Sequence, residues 1–181
     1  MLAALCMQAR NREVHLRLIA TSDIHGNYLP FDYISRQPGR GGPSRVETYV
    51  RTQRKELGRE QVVVLDNGDI LQGQPTAYYY NFIDTTSTHF CAQALNYIEY
   101  DADTIGNHDI ETGHAVYDRW VGECNFPMLG ANVVSTSTGK PYWKPYTIIE
   151  RNGIRIGVLG MITPSIPKWL PNNLWSGLRF D

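Results

Sequence analysis

Three short polar clusters in this chain each follow an apolar run, and together they hold the side-chain types that bind transition metals. The clusters are DIHGN (23–27), DNGD (66–69) and GNHD (106–109). Their carboxylate, imidazole and amide groups together suit divalent ions of intermediate hardness, such as Zn, Mn or Fe. The candidate side chains are Asp23, His25, Asp69, Asn107 and His108.

Each cluster has a simpler interpretation when it is taken alone. DNGD is a good turn sequence, DIHGN could be an exposed loop, and GNHD could begin a helix that Asp109 caps. An extended segment directs residues two apart to the same side, so Asp23 and His25 can reach one ion. Because all three clusters follow a predicted strand in the same way, a shared metal site is the favoured interpretation.

The segments around the clusters alternate between strand and helix patterns. Strands are predicted at 14–22, 61–66, 102–105 and 127–134, and a hairpin with an Asn-Gly turn at 146–161. Helices are predicted at 43–58, 75–83, 87–98 and 113–124. This alternation indicates an α/β layer fold, in which parallel strands bring their carboxyl ends to one edge.

Two of the predicted helices carry capping signals at their start. Ser44, with Glu47 three residues later, forms a capping-box sequence, and Ser87 or Thr88 can cap the helix at 87–98. Residues 164–181 show no period, and no helix is expected to pack after the final strand. The sequence is therefore expected to be cut off rather than finished where it ends.

Length and composition argue against several classes of protein. The 181 residues are 42% apolar and carry a formal net charge of −1, so no basic surplus points to a nucleic-acid polymer. No apolar run approaches the roughly 18 residues of a membrane span. The three cysteines are far apart and form no Cys-x-x-Cys pattern. The oligomeric state does not follow from these features.

The first residues differ in character from the rest. Residues 1–13 begin with MLAALCMQA, which resembles the end of a secretory signal peptide without its basic start. A disordered start is the other interpretation, and the residues alone favour neither. The folded part is expected at 14–181.

The combination of Asp-x-His, Gly-Asp and Gly-Asn-His-Asp resembles the signature of the calcineurin-like metallophosphoesterases. Longer stretches, such as LIATSDIHGNYLPFDY and DNGDILQGQP, resemble the bacterial 5′-nucleotidase group and its 2′,3′-cyclic-nucleotide 2′-phosphodiesterase/3′-nucleotidase branch. The resemblance covers 14–181. It implies an α/β fold, a four-layer α-β-β-α sandwich, of which this is the N-terminal part, truncated before the C-terminal half of the catalytic domain.

The resemblance also implies two divalent metal ions at the strand ends. Asp23 and His25 match ligands of the first ion. Asp69 matches the carboxylate that bridges both ions, and Asn107 matches a ligand of the second. Relatives complete the two ions with later Gly-His and Gly-His-x-His motifs, which this sequence lacks, so the second site is expected to be incomplete.

Catalytic roles follow from the same resemblance. His108 matches the histidine that meets the phosphate, and Asp109 or Glu111 is expected to orient its ring, although many relatives carry a shorter acid at the position of Glu111. The implied reaction is hydrolysis of nucleotide or cyclic-nucleotide phosphate esters by activated water, in the periplasm or cell envelope. Two alternatives stay open: an inactive fragment that binds metal weakly, and a metallophosphatase of another substrate class.

Other side chains of interest are expected to serve the fold. His15 is predicted at the surface, and His89 and His114 are predicted to pack at helix starts. The run Tyr78–Tyr80 could stack on a nucleobase near the site. Consecutive helical residues point in different directions, which favours packing of at least one of these rings over a role in binding.

Overall fold

The computed structural model describes residues 13–33, 35–39 and 41–181. The predicted signal remnant at 1–13 lies outside these residues except for Glu13, so the location inferred from it stays a prediction. Within the described residues, no helix is long and apolar enough to cross a membrane.

Short elements separated by turns make up the described chain. The α-helices are α1 (Pro43–Leu57), α2 (Pro75–Tyr78), α3 (Phe90–Ile98), α4 (Asn107–Ile110), α5 (His114–Glu123) and α6 (Ile166–Trp169). The strands are β1 (Arg17–Thr21), β2 (Phe31–Asp32), β3 (Gln37–Pro38), β4 (Val62–Asp66), β5 (Asp103–Thr104), β6 (Met128–Leu129), β7 (Val133–Ser135), β8 (Tyr146–Arg151), β9 (Ile154–Leu159) and β10 (Leu178–Phe180). A π-helical turn at Tyr79–Ile83 continues α2.

A parallel sheet places the three polar clusters at one edge. β1 pairs in parallel with β4, and β5 pairs in parallel with β6. A parallel bridge between Leu65 and Ala102 connects β4 to the segment that enters β5. The resulting order, β1-β4-β5-β6, confirms the predicted parallel neighbours and gathers their carboxyl ends.

The sheet is anchored by the β-branched run of β4. Val62, Val63 and Val64 are all buried, as expected for a parallel strand that is covered on both faces. α1 packs against β4 and α3, and α3 packs against α5. The core that these helices close contains the fully buried rings of Tyr117 and Trp120 from α5.

Both predicted helix caps are wrong. α1 begins at Pro43 with Gly42 as its N-cap and without a side-chain cap among the described residues. Proline suits the first helical position because its missing N–H would have had no partner there. Ser44 therefore lies inside the helix and does not cap it.

α3 is capped by His89 rather than by either of the predicted hydroxyls. Its Nδ1 accepts a hydrogen bond from the Cys91 N–H at 3.1 Å, so the proton lies on Nε2, which is 2.9 Å from Asn81 Oδ1. Burial, with a smaller contribution from Arg119, lowers the pKa of His89 to about 4. The neutral ring thus acts as a helix cap, in line with the predicted packing role.

The C-terminal part of the chain differs from the prediction in two places. The predicted strand at 127–134 is divided into β6 and β7 by a turn in which the Val133 N–H donates to Gly130 O at 3.2 Å. Residues 164–181, predicted to be irregular, contain α6 and β10, and β10 pairs antiparallel with β7. The β8–β9 hairpin is confirmed, with Asn152 and Gly153 at φ values of 51° and 76°.

Two buried acids lie side by side where β4 meets β5. The Asp66 N–H donates to Ala102 O at 3.1 Å, which brings Asp66 alongside Asp103. The Asp66 carboxylate accepts the Gly68 N–H at 2.9 Å and a short bond from the Thr21 hydroxyl. Burial raises the pKa of Asp66 to about 7 and the pKa of Asp103 well above its usual range. The pair therefore retains a proton near neutral pH, because two adjacent buried carboxylates do not both ionise.

This pair should make stability depend on pH. An acid whose pKa is raised by folding binds more protons in the native state than in the unfolded state. The contribution of Asp66 to the free energy of unfolding should therefore decrease as the pH rises from about 4 to about 7. The free energy of unfolding of the wild type minus that of Asp66→Asn should fall across this range. The opposing contribution of His89 cancels in that difference.

Urea unfolding at several pH values measures this difference. Asp84→Asn is the matched control, because hydrogen bonds from Ser87 lower the pKa of Asp84 to about 2, outside the range tested. A difference between wild type and Asp66→Asn that is constant from pH 4 to pH 7 would contradict the raised pKa.

Candidate metal centre at the carboxyl edge of the sheet

The first two polar clusters run side by side beyond the ends of β1 and β4. The Asp23 N–H donates to Gly68 O, and the His25 N–H donates to Asp69 O, both at 3.0 Å. These bonds continue the pairing of the two strands into the loops that follow them. The backbone therefore holds Asp23 and His25 beside Asp69.

Two glycines allow the third cluster, GNHD, to pack closely against the second, DNGD. The His108 N–H donates to Asp69 Oδ1 at 2.8 Å. A Cβ atom at Gly106 would overlap the Asp69 carboxylate, and a Cβ atom at Gly68 would overlap the backbone of Gly106. Only residues without side chains allow this approach, which explains why glycine stands at both positions.

Three of the predicted side chains converge. Ligand atoms of His25, Asp69 and His108 all lie within 4.8 Å of one another, and all three side chains are half-buried. The imidazole rings of His25 and His108 have centroids 5.0 Å apart. One carboxylate and two imidazoles at this separation fit a divalent transition metal by donor type and spacing.

The other two predicted ligands flank this group. Asp23 is exposed, and its Oδ1 lies 3.7 Å from His25 Nε2. Asn107 is half-buried and forms the first residue of α4, directly before His108. The structure thus places every predicted ligand at one edge, while His108, predicted to meet the phosphate, belongs to the tightest group.

Strained backbone marks the same residues. Asp23, His25 and Asp69 have φ values of 53°, 48° and 61°, in the left-handed region that non-glycine residues rarely adopt. Such conformations persist only where the surrounding structure imposes them, and they are concentrated at ligand sites. Three of them among the candidate ligands support a binding role for this edge.

Each histidine of the group has one ring nitrogen engaged by the protein. His25 Nδ1 lies 3.1 Å from Gln72 O, and His108 Nδ1 lies 2.7 Å from Glu111 Oε2. A carbonyl or carboxylate oxygen only accepts, so Nδ1 is the donor in both rings. Nε2 is left for a ligand, which is the usual arrangement of metal-binding histidines.

Of the two acids predicted to orient His108, Glu111 contacts its ring and Asp109 does not. Glu111 reaches the ring despite its length, and it lies three residues after His108, so that both side chains share one side of the turn. Asp109 follows His108 directly and points into the interior. That spacing of three is the sequence signal that distinguishes the two acids. Their catalytic roles stay predictions.

Asp109 is instead the carboxylate that ties the clusters together. It is fully buried, and its oxygens accept four backbone N–H groups at 2.8–2.9 Å. The donors are Asp69, Ile70, Leu71 and Gly106. Burial raises the pKa of Asp109, while the N–H groups act in the opposite direction by stabilising the carboxylate.

The bond from Gly106 also makes Asp109 a capping residue of α4. The helix cap by Asp109, the simpler interpretation of GNHD, is therefore present within the candidate site itself. Sequence reasoning did not foresee the three bonds to residues 69–71. No sequence pattern indicates them, because residues 69–71 are about 40 positions from Asp109 in the chain.

The remaining histidines lie elsewhere in the fold. His15 is exposed, and His89 is a buried helix cap. His114 begins α5, with Nδ1 at 2.9 Å from Asp118 Oδ2 and Nε2 at 2.9 Å from Ser176 O. These contacts agree with the packing and surface roles expected for all three.

Comparison with known proteins identifies the family. Residues 16–173 match the family model of the calcineurin-like phosphoesterases, so the chain belongs to this family, whose members are phosphoric ester hydrolases that use divalent metals. The α/β metallophosphoesterase fold predicted from the sequence is confirmed by a solved structure, the calcineurin-like phosphoesterase YfkN from Bacillus subtilis. It superposes with a TM-score of 0.76 at 32% identity, over 92% of this chain and 54% of that one.

Two curated relatives are similar over almost the whole chain. The trifunctional nucleotide phosphoesterase protein YfkN of Bacillus subtilis is 33% identical over an alignment of 178 positions, which covers 90% of this chain and 12% of the relative. The 2′,3′-cyclic-nucleotide 2′-phosphodiesterase/3′-nucleotidase of Yersinia enterocolitica is 30% identical over an alignment of 185 positions, which covers 96% of this chain and 28% of the relative. The chain thus spans a small part of the length of either relative.

The Asp109 carboxylate should be essential for stability. In Asp109→Asn an amide N–H₂ replaces one oxygen and faces two backbone N–H groups, which lose their acceptor in the interior. Each buried unpaired group costs about 1–3 kcal/mol. We expect the free energy of unfolding, measured by urea denaturation, to fall by about 2–6 kcal/mol.

Glu111→Gln is the matched control, because this side chain is exposed and should change stability by less than about 0.5 kcal/mol. Equal stability of the Asp109→Asn and Glu111→Gln variants would show that the four bonds do not hold the loops together.

Proposed function

We propose that this chain provides the metal-binding part of an enzyme that hydrolyses phosphate esters of nucleotides. The proposed substrates are 2′,3′-cyclic nucleotides and 3′- or 5′-nucleotides, a class that includes the substrates in the names of the two relatives. The observation that carries the proposal is the convergence of His25, Asp69 and His108 within 4.8 Å, in a member of a phosphoesterase family.

The proposed ligands are those that the sequence resemblance implies. Asp23 and His25 would hold a first divalent ion, Asp69 would bridge both ions, and Asn107 would bind the second. When bound, the ions would supply Lewis acidity that activates water and neutralises charge on the phosphate. His25 suits this role because its Nδ1–H donates to Gln72 O, which leaves Nε2 available to an ion.

His108 and Glu111 form the proposed catalytic pair. The carboxylate of Glu111 holds the Nδ1 proton of His108 at 2.7 Å and thereby sets the orientation of the ring. His108 can then hold or transfer a proton at Nε2, toward a phosphate oxygen or the leaving alcohol. Glu111 acts through His108 and is therefore a positioning residue in this proposal.

Two substitutions separate metal binding from proton transfer. Asp69→Asn should remove most of the bound Mn²⁺ and nearly all hydrolysis of 2′,3′-cyclic AMP, because the amide carries no charge to bridge two cations. His108→Ala should keep most of the metal and lower the rate by about 10²–10⁴-fold, the usual contribution of a general acid. Equilibrium dialysis measures the bound Mn²⁺, and chromatography of the AMP that is formed measures the hydrolysis.

Asp84→Asn, at a half-buried residue outside the site, serves as the control for charge removal. The bridging role of Asp69 is untenable if Asp69→Asn binds Mn²⁺ and hydrolyses substrate as the wild type does.

A weak metal binder without activity is the second candidate. The observation that favours it is that His15, His89 and His114 all lie outside the cluster, so the described chain offers no further histidine to complete two ions. One Mn²⁺ per chain without hydrolysis would support this candidate, whereas two ions with hydrolysis would support the enzyme.

A further inference from the structure

The loop from Asp69 to Gly73 carries the carbonyl group that orients His25. It forms neither helix nor strand, so its buried backbone groups need partners from other parts of the fold. Asp109 accepts the N–H groups of the first half of the loop, up to Leu71. The second half, which includes Gln72 O, therefore needs a further partner.

That partner is the side chain of Asn81. Its Nδ2 donates to Leu71 O at 2.6 Å, and both residues are buried. Leu71 is thus held at its N–H by Asp109 and at its C=O by Asn81. Since the peptide unit that joins Leu71 to Gln72 is planar, a bond to Leu71 O also fixes the backbone nitrogen and Cα of Gln72.

A π-helical turn places Asn81 within reach of this loop. The turn spans Tyr79–Ile83, and Asn81 is the residue of the turn that is buried. Tyr80 beside it packs on Phe90 with ring centroids 6.1 Å apart, as expected for at least one ring of the tyrosine run. A buried amide is costly without hydrogen-bond partners, so an asparagine directed inward by a π-helical turn indicates a specific polar role.

His89 determines which end of the Asn81 amide faces the loop. Its Nδ1 accepts the Cys91 N–H, so Nε2 carries the ring proton and donates to Asn81 Oδ1 at 2.9 Å. The amide oxygen is thereby engaged, and the NH₂ group is directed at Leu71 O. A chain of hydrogen bonds, in which each donor has a matching acceptor, thus connects the start of α3 to the loop.

Two acceptors compete for the ring proton of His25. Gln72 O lies 3.1 Å from Nδ1, and Asp23 Oδ1 lies 3.7 Å from Nε2. A proton on Nδ1 leaves Nε2 free for an ion, whereas a proton on Nε2 would block it. Gly73 packs directly on His25, since a Cβ atom at Gly73 would overlap His25 O. The position of this part of the loop therefore determines whether His25 can bind a metal.

We propose that Asn81 is a positioning residue for the candidate metal centre. It fixes the peptide between Leu71 and Gln72, and Gln72 O in turn keeps the proton of His25 on Nδ1. The inference rests on the proposed function, because it assigns His25 as a metal ligand through Nε2. Asn81 contacts neither ion nor substrate in this proposal and acts only through the loop.

Histidine ¹⁵N NMR of the metal-free protein tests the effect on His25 directly. The wild type should show the His25 proton on Nδ1. Asn81→Leu, which keeps a similar volume but has no donor, and Asn81→Ala should both move part of the His25 population to the Nε2–H form. Calorimetric titration should show Mn²⁺ affinity about 10–100-fold lower in both variants, the usual cost of losing an outer partner of a metal-binding histidine.

Asn132→Ala is the matched control. Asn132 is also a buried asparagine that connects loop backbone groups, through bonds with Ile162 and Asp181, but it lies outside the site. This variant should lose stability in thermal unfolding, as the Asn81 variants do, yet keep the His25 tautomer and the Mn²⁺ affinity of the wild type. All spectra are recorded at a temperature at which each variant is folded, so a loss of stability alone does not alter the tautomer.

The outcomes separate the failure of this inference from the failure of the proposed function. A wild-type tautomer of His25 in both Asn81 variants, or the same change in Asn132→Ala, would overturn the positioning role while metal binding stands. Unchanged Mn²⁺ affinity in the Asn81 variants would overturn it as well. A His25 tautomer that depends on Asn81, in a chain that binds no Mn²⁺, would support the control of His25 by Asn81 and overturn the proposed function.

Discussion

The site depends on one buried carboxylate that accepts four backbone N–H groups. Asp109 holds the segment 69–71 and the turn at Gly106 in a single arrangement. Asp69 enters this arrangement through its own N–H, and its side chain accepts the N–H of His108 in return. Two carboxylates thus connect the same two loops. Buried Asp109 accepts N–H groups from residues 69–71, and half-buried Asp69 accepts the N–H of His108.

This cross-link explains how strained backbone is tolerated at the edge of the sheet. Left-handed conformations at Asp23, His25 and Asp69 cost about 1–3 kcal/mol each. The cost is offset by the N–H bonds to Asp109, by the bonds between the first two loops and by the buried β4 strand that precedes them. The strained backbone and the hydrogen bonds to Asp109 therefore act together to hold the candidate ligands close to one another.

Sequence patterns predicted the parts that depend on local rules. The β-branched run of Val62–Val64 indicated a buried parallel strand, and the Asn-Gly pair indicated the hairpin turn, because each pattern has few physical alternatives. Ser44 failed because a proline at the preceding position already set the helix start. The partner of Asp109 could not be foreseen, since its donors at 69–71 are close in space but distant in the chain.

The short helix α4 distributes its side chains by geometry. Successive residues turn by about 100°, so Asn107, His108 and Asp109 point in three different directions from one turn. Asp109 enters the core, His108 lies in the ligand group, and Glu111 returns to the side of His108 after almost a full turn. Glu111 also lines a cavity beside α2, so the short segment 106–111 contributes to the core, to the candidate ligand group and to the wall of that cavity.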